Sequence, residues 1–283
     1  MAAHLAALRQ QGCSEGTIEA RRRALERMGR RLPVPVLEAG PGHLAAWREG
    51  LPVTGNTVAG YVSHARHFYD WARQNGHAES NPAAGLPVPR VTRGLPRPIG
   101  EDVLMAAVTA APARVRPWLV LAGWAGLRAK EIALLRRERV LDTATPPVIL
   151  VAADATKGRR ERVVPASGFV LAELRVAGLT RAGWVFRRRD GRPGPNASHT
   201  VSHLANGHLR DCGTDATLHQ CRHRFATVLY QQTRDLRLVQ DLLGHADPAT
   251  TALYSAFDQS GAYDAVDALP APPRLAVAAK VPG

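Results

Sequence analysis

The stretch "GLPVPRVTRGLPRP", residues 85–98, constrains this chain more than any other. Pro87, Pro89, Pro96 and Pro98 each lack a backbone donor and have a fixed φ, and Gly85 and Gly94 loosen what is left. No regular helix runs through such a segment. At 283 residues the chain is long enough for two moderate domains, each with its own core, and this break divides it accordingly. The expected organisation is a helical domain over 1–84, an interdomain linker over 85–98, a second domain over 99–268 and a C-terminal tail over 269–283. The linker is itself basic through Arg90, Arg93 and Arg97.

Hydrophobic periodicity fills in both sides of the break. Ser14 can cap a helix through about Met28, with Ile18, Leu25 and Met28 on one buried face. A short helix follows around "GHLAAWRE". Then "NTVAGYVSHARHFYDWARQNG" places Val58, Val62, Ala65, Phe68, Tyr69 and Ala72 at helical spacing, with Gly76 suited to the stop. Past the linker, "GEDVLMAAV" opens a helix, "RPWLVLAGWAGL" reads as a buried one ending near Gly126, and "RAKEIALLRRERV" resumes the helical period. Over 148–165 the pattern changes. In "VILVAADATKGRRERVVP" two β-branched runs flank "ATKGRR", which predicts a hairpin turning near Gly158. Helices return at "SGFVLAELRVAG", "SHTVSHLANGHLRDCG", "LHQCRHRFATVLYQQT", "LRLVQDLLG" and "PATTALYSAF". The predicted fold is mainly α, with one small β-sheet in the second domain.

Charge narrows the class of partner. The formal net charge is +13, and 34 of the 37 basic residues are arginines, whose planar fork suits phosphate. Residues 1–96 carry net +5 and residues 97–283 net +8, so the excess is not confined to a tail. A polyanion is the expected partner. Arg66 and Arg73 lie on one side of the last helix of the first domain and can face a phosphate backbone; a solvated basic stripe explains them equally well. Cys13, Cys212 and Cys221 form no C-x-x-C pair and no disulfide framework, and are read as reduced, with Cys212 and Cys221 in the core. No apolar run reaches the roughly 20 residues a bilayer requires, and "MAAHLAAL" lacks the form of a secretory signal, so a cytoplasmic protein without membrane contact is expected.

The chemistry is carried by separated positions. In "ATLHQCRHRFATVLY", His219, Arg222 and His223 share a helix face while Cys221 points away, which argues against a Cys/His metal cage and for a phosphate held by guanidinium and imidazole. "GLRAKE" supplies Arg128, with Glu131 three residues on to brace it. "TKGRR" supplies Lys157, one of three lysines in an arginine-rich chain, at a hairpin tip where an amine can give up its proton as arginine cannot. "LLGHADPATTALYSAF" supplies His245 and, nine residues later, Tyr254.

The ordered series Arg128, Lys157, His219 with Arg222, His245 and Tyr254 resembles the tyrosine recombinase family, the phage integrases and their site-specific relatives. The likeness lies in "GLRxxE", a lysine on a hairpin, "HxxRHxFAT", "LLGH" and the tyrosine that follows. Cys221 and Arg224 depart from the family's usual leucine and small hydroxyl residue. The resemblance implies a small SAM-like core-binding domain followed by a mostly helical catalytic domain, in the simpler architecture without an arm-binding module. It implies that Tyr254 attacks a phosphodiester to form a 3′-phosphotyrosyl link, that Arg128 and Arg222 hold the non-bridging oxygens, and that Lys157 is the general acid. His219 would then be the base, His245 a phosphate donor and Glu131 a supporting group, with no metal and no cofactor. Further DNA contacts are expected from Arg66, Arg73, Arg90, Arg93, Arg97, Arg159 and Arg160.

The implied reaction is site-specific recombination of double-stranded DNA at inverted core sites through a Holliday junction. The synapsed enzyme would be a homotetramer, monomeric or weakly associated when free, with its tail docking on a neighbouring protomer or else disordered. An accessory DNA-bending or directionality factor is compatible with it. The protein would be bacterial or phage-encoded and associated with the nucleoid. Two rivals stand beside it: a type IB topoisomerase with similar nicking and rejoining chemistry, distinguished by its lack of intermolecular recombinants, and a catalytically inactive DNA-binding protein on the same scaffold, distinguished by its failure to link to a nicked site.

Overall fold

The computed structural model describes residues 1–53, 55–89, 95, 97–153, 161–179, 182–190 and 192–244. The chain divides into two compact units, Met1–Gly94 and Leu95–Gly283. The expected fold class holds: the described residues form eleven α-helices and one three-stranded sheet. None of those helices is long and apolar enough to cross a membrane.

The first unit contains α1 (Ala2–Gln10), α2 (Glu15–Arg31), α3 (Pro41–Glu49) and α4 (Gly55–Gln74). Ser14 caps α2 by accepting the Thr17 N–H at 3.2 Å. At the other end of the unit, α4 stops where Gly76 takes φ 72° and the His77 N–H turns back to the Ala72 carbonyl at 2.8 Å. Leu25, Met28, Leu44, Val62, Ala65, Phe68 and Tyr69 form the core, and the Tyr69 hydroxyl donates to the Val36 carbonyl at 2.6 Å. Helix α1 is an addition to the sequence-based expectation. Its buried stripe is only His4, Leu5 and Leu8, too short for a period to stand out. Arg66 donates to the carbonyls of Ala83 at 3.2 Å and Leu86 at 2.6 Å, pinning the chain beyond α4 back onto that helix.

The second unit contains α5 (Glu101–Ala110), α6 (Arg116–Ala125), α7 (Ala129–Ala133), β1 (Val140–Leu141), β2 (Val148–Val151), β3 (Arg162–Pro165), α8 (Gly168–Val176), α9 (Ser198–Asp211), α10 (Leu218–Thr233) and α11 (Leu236–Leu243). Helix α6 is apolar all round and is buried accordingly, with Trp118, Leu119, Val120, Leu121 and Ala122 at the centre of the core and α8 and α10 packed against it. The sheet is antiparallel in the order β1-β2-β3, with Val140 opposite Ile149 and Val151 opposite Arg162. Ile149, Val151 and Val164 point into the core. The tip of the expected hairpin, 154–160, lies outside the described residues, as does the expected helix at "PATTALYSAF".

Two expectations need correcting. The helical period of "RAKEIALLRRERV" does not continue, because α7 ends at Ala133. Its backbone partners lie elsewhere: the Val185 N–H donates to the Leu135 carbonyl at 2.9 Å and the Arg137 N–H to the Gly183 carbonyl at 2.8 Å. Pairing with the 183–185 segment replaces the next helical turn, and Arg137–Arg139 becomes a 3₁₀ turn leading into β1. Cys212, expected in the core, is exposed just past the end of α9, whereas Cys221 is buried in the core as anticipated.

Candidate active site

The start of α10 is fixed by its neighbours. The Thr217 N–H donates to Gln220 Oε1 at 2.8 Å, and the Leu218 N–H to Asn206 Oδ1 of α9, also at 2.8 Å. This places His219 in the first turn at the surface, Arg222 one turn on and buried, and His223 beside them. The two imidazoles meet edge-on, with ring centres 4.5 Å apart. Arg222 runs inward between two helix ends. It donates through Nη2 to the Leu243 carbonyl at 2.7 Å, at the end of α11, and through Nη1 to the Gly126 carbonyl at the end of α6.

Glu131 is the centre of the arrangement. Its side chain is fully buried, at 0% exposure, and a buried carboxylate persists only where its charge is matched. The Arg128 N–H donates to Oε2 at 2.8 Å and Arg128 Nη1 to Oε1, also at 2.8 Å. Arg162 forms a two-pronged pair with the same carboxylate, Nη1 to Oε1 at 3.0 Å and Nη2 to Oε2 at 2.7 Å. Arg222 Nη1 lies 3.6 Å from Oε2. Three guanidiniums therefore share one carboxylate. The excess positive charge is met by the C-terminal carbonyls of α11, where Arg162 Nε donates to Leu242 at 2.7 Å and Arg128 Nη1 to Leu243 at 3.3 Å.

The electrostatics follow from this packing. Burial alone would raise the Glu131 pKa, but the hydrogen bonds and charge of Arg162, the charge of Arg222 and the Arg128 N–H bring it down to about 2. The His219 ring is held below its usual value by desolvation of its packed side and by Arg222 and Arg128. His223 is lowered to about 4 by burial, then by His219 and Arg222. Both imidazoles are thus neutral at pH 7, and a neutral imidazole can accept a proton. Beside Arg128 and His219 a cavity of about 270 Å³ opens, with Ser202, Asn206 and Thr217 on its wall.

The structure brings together Arg128, Glu131, His219 and Arg222 from the sequence-derived set. Lys157, Arg159, Arg160, His245 and Tyr254 lie outside the described residues, as do Arg90 and Arg93. Arg73 and Arg97 are exposed, whereas Arg66 is engaged by the two carbonyls of its own unit. Sequence reasoning missed Arg162. The signal available was strand alternation: in "RVVP" the inward position shared with Val164 is an arginine, which demands a buried acid.

Arg224, noted as a departure at the sequence level, has a structural place. It forms a two-pronged pair with Glu101 at 2.7 and 2.6 Å, donates to the Gly123 carbonyl at 3.0 Å and stacks over Trp124. Cys221 has its thiol pushed up to about 12 by burial and is chemically quiet.

Known proteins resemble this chain in sequence and in fold. Residues 101–260 match the model of the phage integrase family. Tyrosine recombinase XerC of Xylella fastidiosa (strain M23) is 34% identical over 234 residues, covering 78% of this chain and 77% of its own length. Tyrosine recombinase XerC of Chromobacterium violaceum is 30% identical over 224 residues, covering 73% of this chain and 71% of its own. Among solved structures, a lambda integrase (75–356) dimer bound to a COC′ core site superimposes with a TM-score of 0.71 at 17% identity, covering 88% of this chain and 94% of that one. XerH site-specific recombinase in a post-cleavage complex with palindromic difH gives 0.61 at 19% identity, covering 82% of this chain and 72% of that one. At those identities the structural likeness is one of fold, and the sequence matches carry the assignment: with the family model spanning more than half of its length, the chain belongs to the phage integrase family and is a tyrosine-type site-specific DNA recombinase.

Proposed function

We propose that Tyr254 is the nucleophile and that the Glu131-centred cluster binds the scissile phosphate. The observation that carries this reading is that Arg128 and Arg222, far apart in sequence, are held on one buried carboxylate next to the neutral imidazole of His219. In the proposed step the Tyr254 oxygen attacks phosphorus and the P–O5′ bond breaks, leaving a 3′-phosphotyrosyl link. His219 takes the phenolic proton, Lys157 protonates the departing 5′-oxygen, and His245 donates to the phosphate. Arg128 and Arg222 meet the charge that builds on the non-bridging oxygens. Rejoining runs the same transfers in reverse, with the 5′-hydroxyl of a partner strand as nucleophile.

The 1–84 and 99–268 regions are proposed as core-DNA-binding and catalytic domains joined by the basic 85–98 linker, on duplexes with inverted core sites. Lambda integrase has been solved as a tetramer on a Holliday junction, which supports a tetrameric synapse and that intermediate here. Backbone contacts are assigned to the exposed Arg73 and Arg97, with Arg90, Arg93, Arg159 and Arg160 as further candidates.

The test uses a short core-site duplex nicked beside the cleavage position, so that rejoining fails, and compares wild type with Tyr254→Phe on a denaturing gel. A covalent protein–DNA band from wild type alone is expected. Specific binding without that band would support an inactive DNA-binding protein instead, and a band surviving in Y254F would place the nucleophile elsewhere. Relaxation without intermolecular recombinants would favour the topoisomerase reading.

A further inference from the structure

Arg162 belongs to none of the roles assigned above, yet all three of its guanidinium nitrogens donate within the cluster. It sits at the start of β3, 9% exposed, and its guanidinium spends every edge. Nη1 and Nη2 take both oxygens of Glu131 in α7, while Nε points the other way, to the Leu242 carbonyl near the end of α11. One side chain thereby ties three elements whose residues are far apart in the chain. Its stem also forms the wall against which the next turn leans. Gly244 adopts φ 63°, and a Cβ there would stand 3.0 Å from Arg162 Cδ and 3.2 Å from Nη1.

We propose that Arg162 is a positioning residue for strand cleavage, orienting Arg128 through Glu131 and fixing the end of α11 as far as Gly244. The proposal rests on the reading of Arg128 and Tyr254 given above. Its physical basis is competition for one carboxylate. Arg162 occupies the two-pronged edge of Glu131, so that Arg128 reaches the same group through Nη1 and its own N–H. Without Arg162, Glu131 would be an under-matched buried anion, and the Arg128 guanidinium would swing fully onto it and away from a phosphate. The Leu242 carbonyl would lose its donor at the same time, loosening an end of α11 that Arg222 and Arg128 still hold through Leu243. Lysine cannot substitute for this geometry, because one ammonium cannot grip a carboxylate with two prongs and reach a carbonyl on the opposite side.

The experiment measures single-turnover cleavage of the nicked duplex by full-length wild type, Arg162→Lys and Arg162→Met, with DNA affinity and thermal unfolding followed in parallel. R162K retains a charge for Glu131 and serves as the decisive variant if R162M does not fold. Expected for R162K are cooperative unfolding, DNA affinity within about threefold of wild type, and cleavage at saturating DNA slower by about a hundredfold, the scale of an ångström-sized misplacement. The second readout is coupling. If Arg162 acts through Arg128, R162K/R128A cleaves at nearly the rate of R128A alone, whereas a purely structural role makes the two losses multiply. Wild-type cleavage by R162K, or multiplied losses with Arg128→Ala, would overturn the proposal. A wild-type chain that forms no covalent adduct on the same gel would instead defeat the underlying assignment of Tyr254, and the positioning role with it.

Discussion

A single carboxylate, Glu131, decides much of the acid behaviour of the second unit. Its pKa of about 2 lies below the ordinary 4.5, so the stability it contributes is present above pH 4.5 and is lost as pH falls from there toward 2. His219 and His223 act at higher pH with the same sign. Both are held below 6.5 in the folded state, so their neutral forms favour folding above that value, and this contribution is lost as pH falls through 6.5, toward about 4 for His223. Urea midpoints measured against pH should therefore be flat above pH 7, decline from about 6.5 and fall more steeply below 4.5; a flat profile down to pH 5 would mean that the imidazoles are not held neutral. Four of these groups were legible in the sequence, because Arg128, Glu131, His219 and Arg222 fall in two short motifs with fixed helical spacing. Arg162 was not, since its inward orientation depends on the β3 register and its partner lies 31 positions away.

Among the elements, α6 shows local sequence and tertiary packing in agreement. Its uninterrupted apolar run predicts a buried helix, and Gly126 ends it with φ 63°. The glycine is needed for two reasons: a left-handed conformation, and a Cβ that would stand 2.5 Å from Phe225 Cδ1 of α10. Its carbonyl also receives Arg222. Gly126→Ala should destabilise the unit by about 2–4 kcal/mol, from backbone strain plus overpacking, and should lower cleavage by displacing Arg222. Urea denaturation and the nicked-duplex assay check both parts. By contrast, α7 and the 3₁₀ turn after it show tertiary pairing overriding a helical pattern. The residues of "RAKEIALLRRERV" are good helix formers, but the 183–185 segment takes their backbone partners.

For the molecule as a whole, basic charge is spread over both units, and the net +13 is carried almost entirely by arginine. If both units engage the backbone with six to ten phosphate contacts in all, affinity for a core-site duplex should fall by about 10³–10⁵ between 50 and 200 mM salt. Fluorescence anisotropy across that range measures the slope, and a flat dependence would contradict backbone-dominated binding. Several properties at this scale were decided by the sequence itself. Prolines and glycines over 85–98 break the chain, helical periods set most elements, and separated motifs hold the groups proposed to react, because each is a property of residue type and spacing. The tertiary structure decided which charges share a partner. That three arginines, from the cap of α7, from β3 and from α10, converge on one buried carboxylate, and on the carbonyls that end α11, depends on where the backbone brings residues 128, 162, 222 and 242. A buried carboxylate is stable only where such a path delivers enough positive charge, and spacing along a chain carries no record of that convergence.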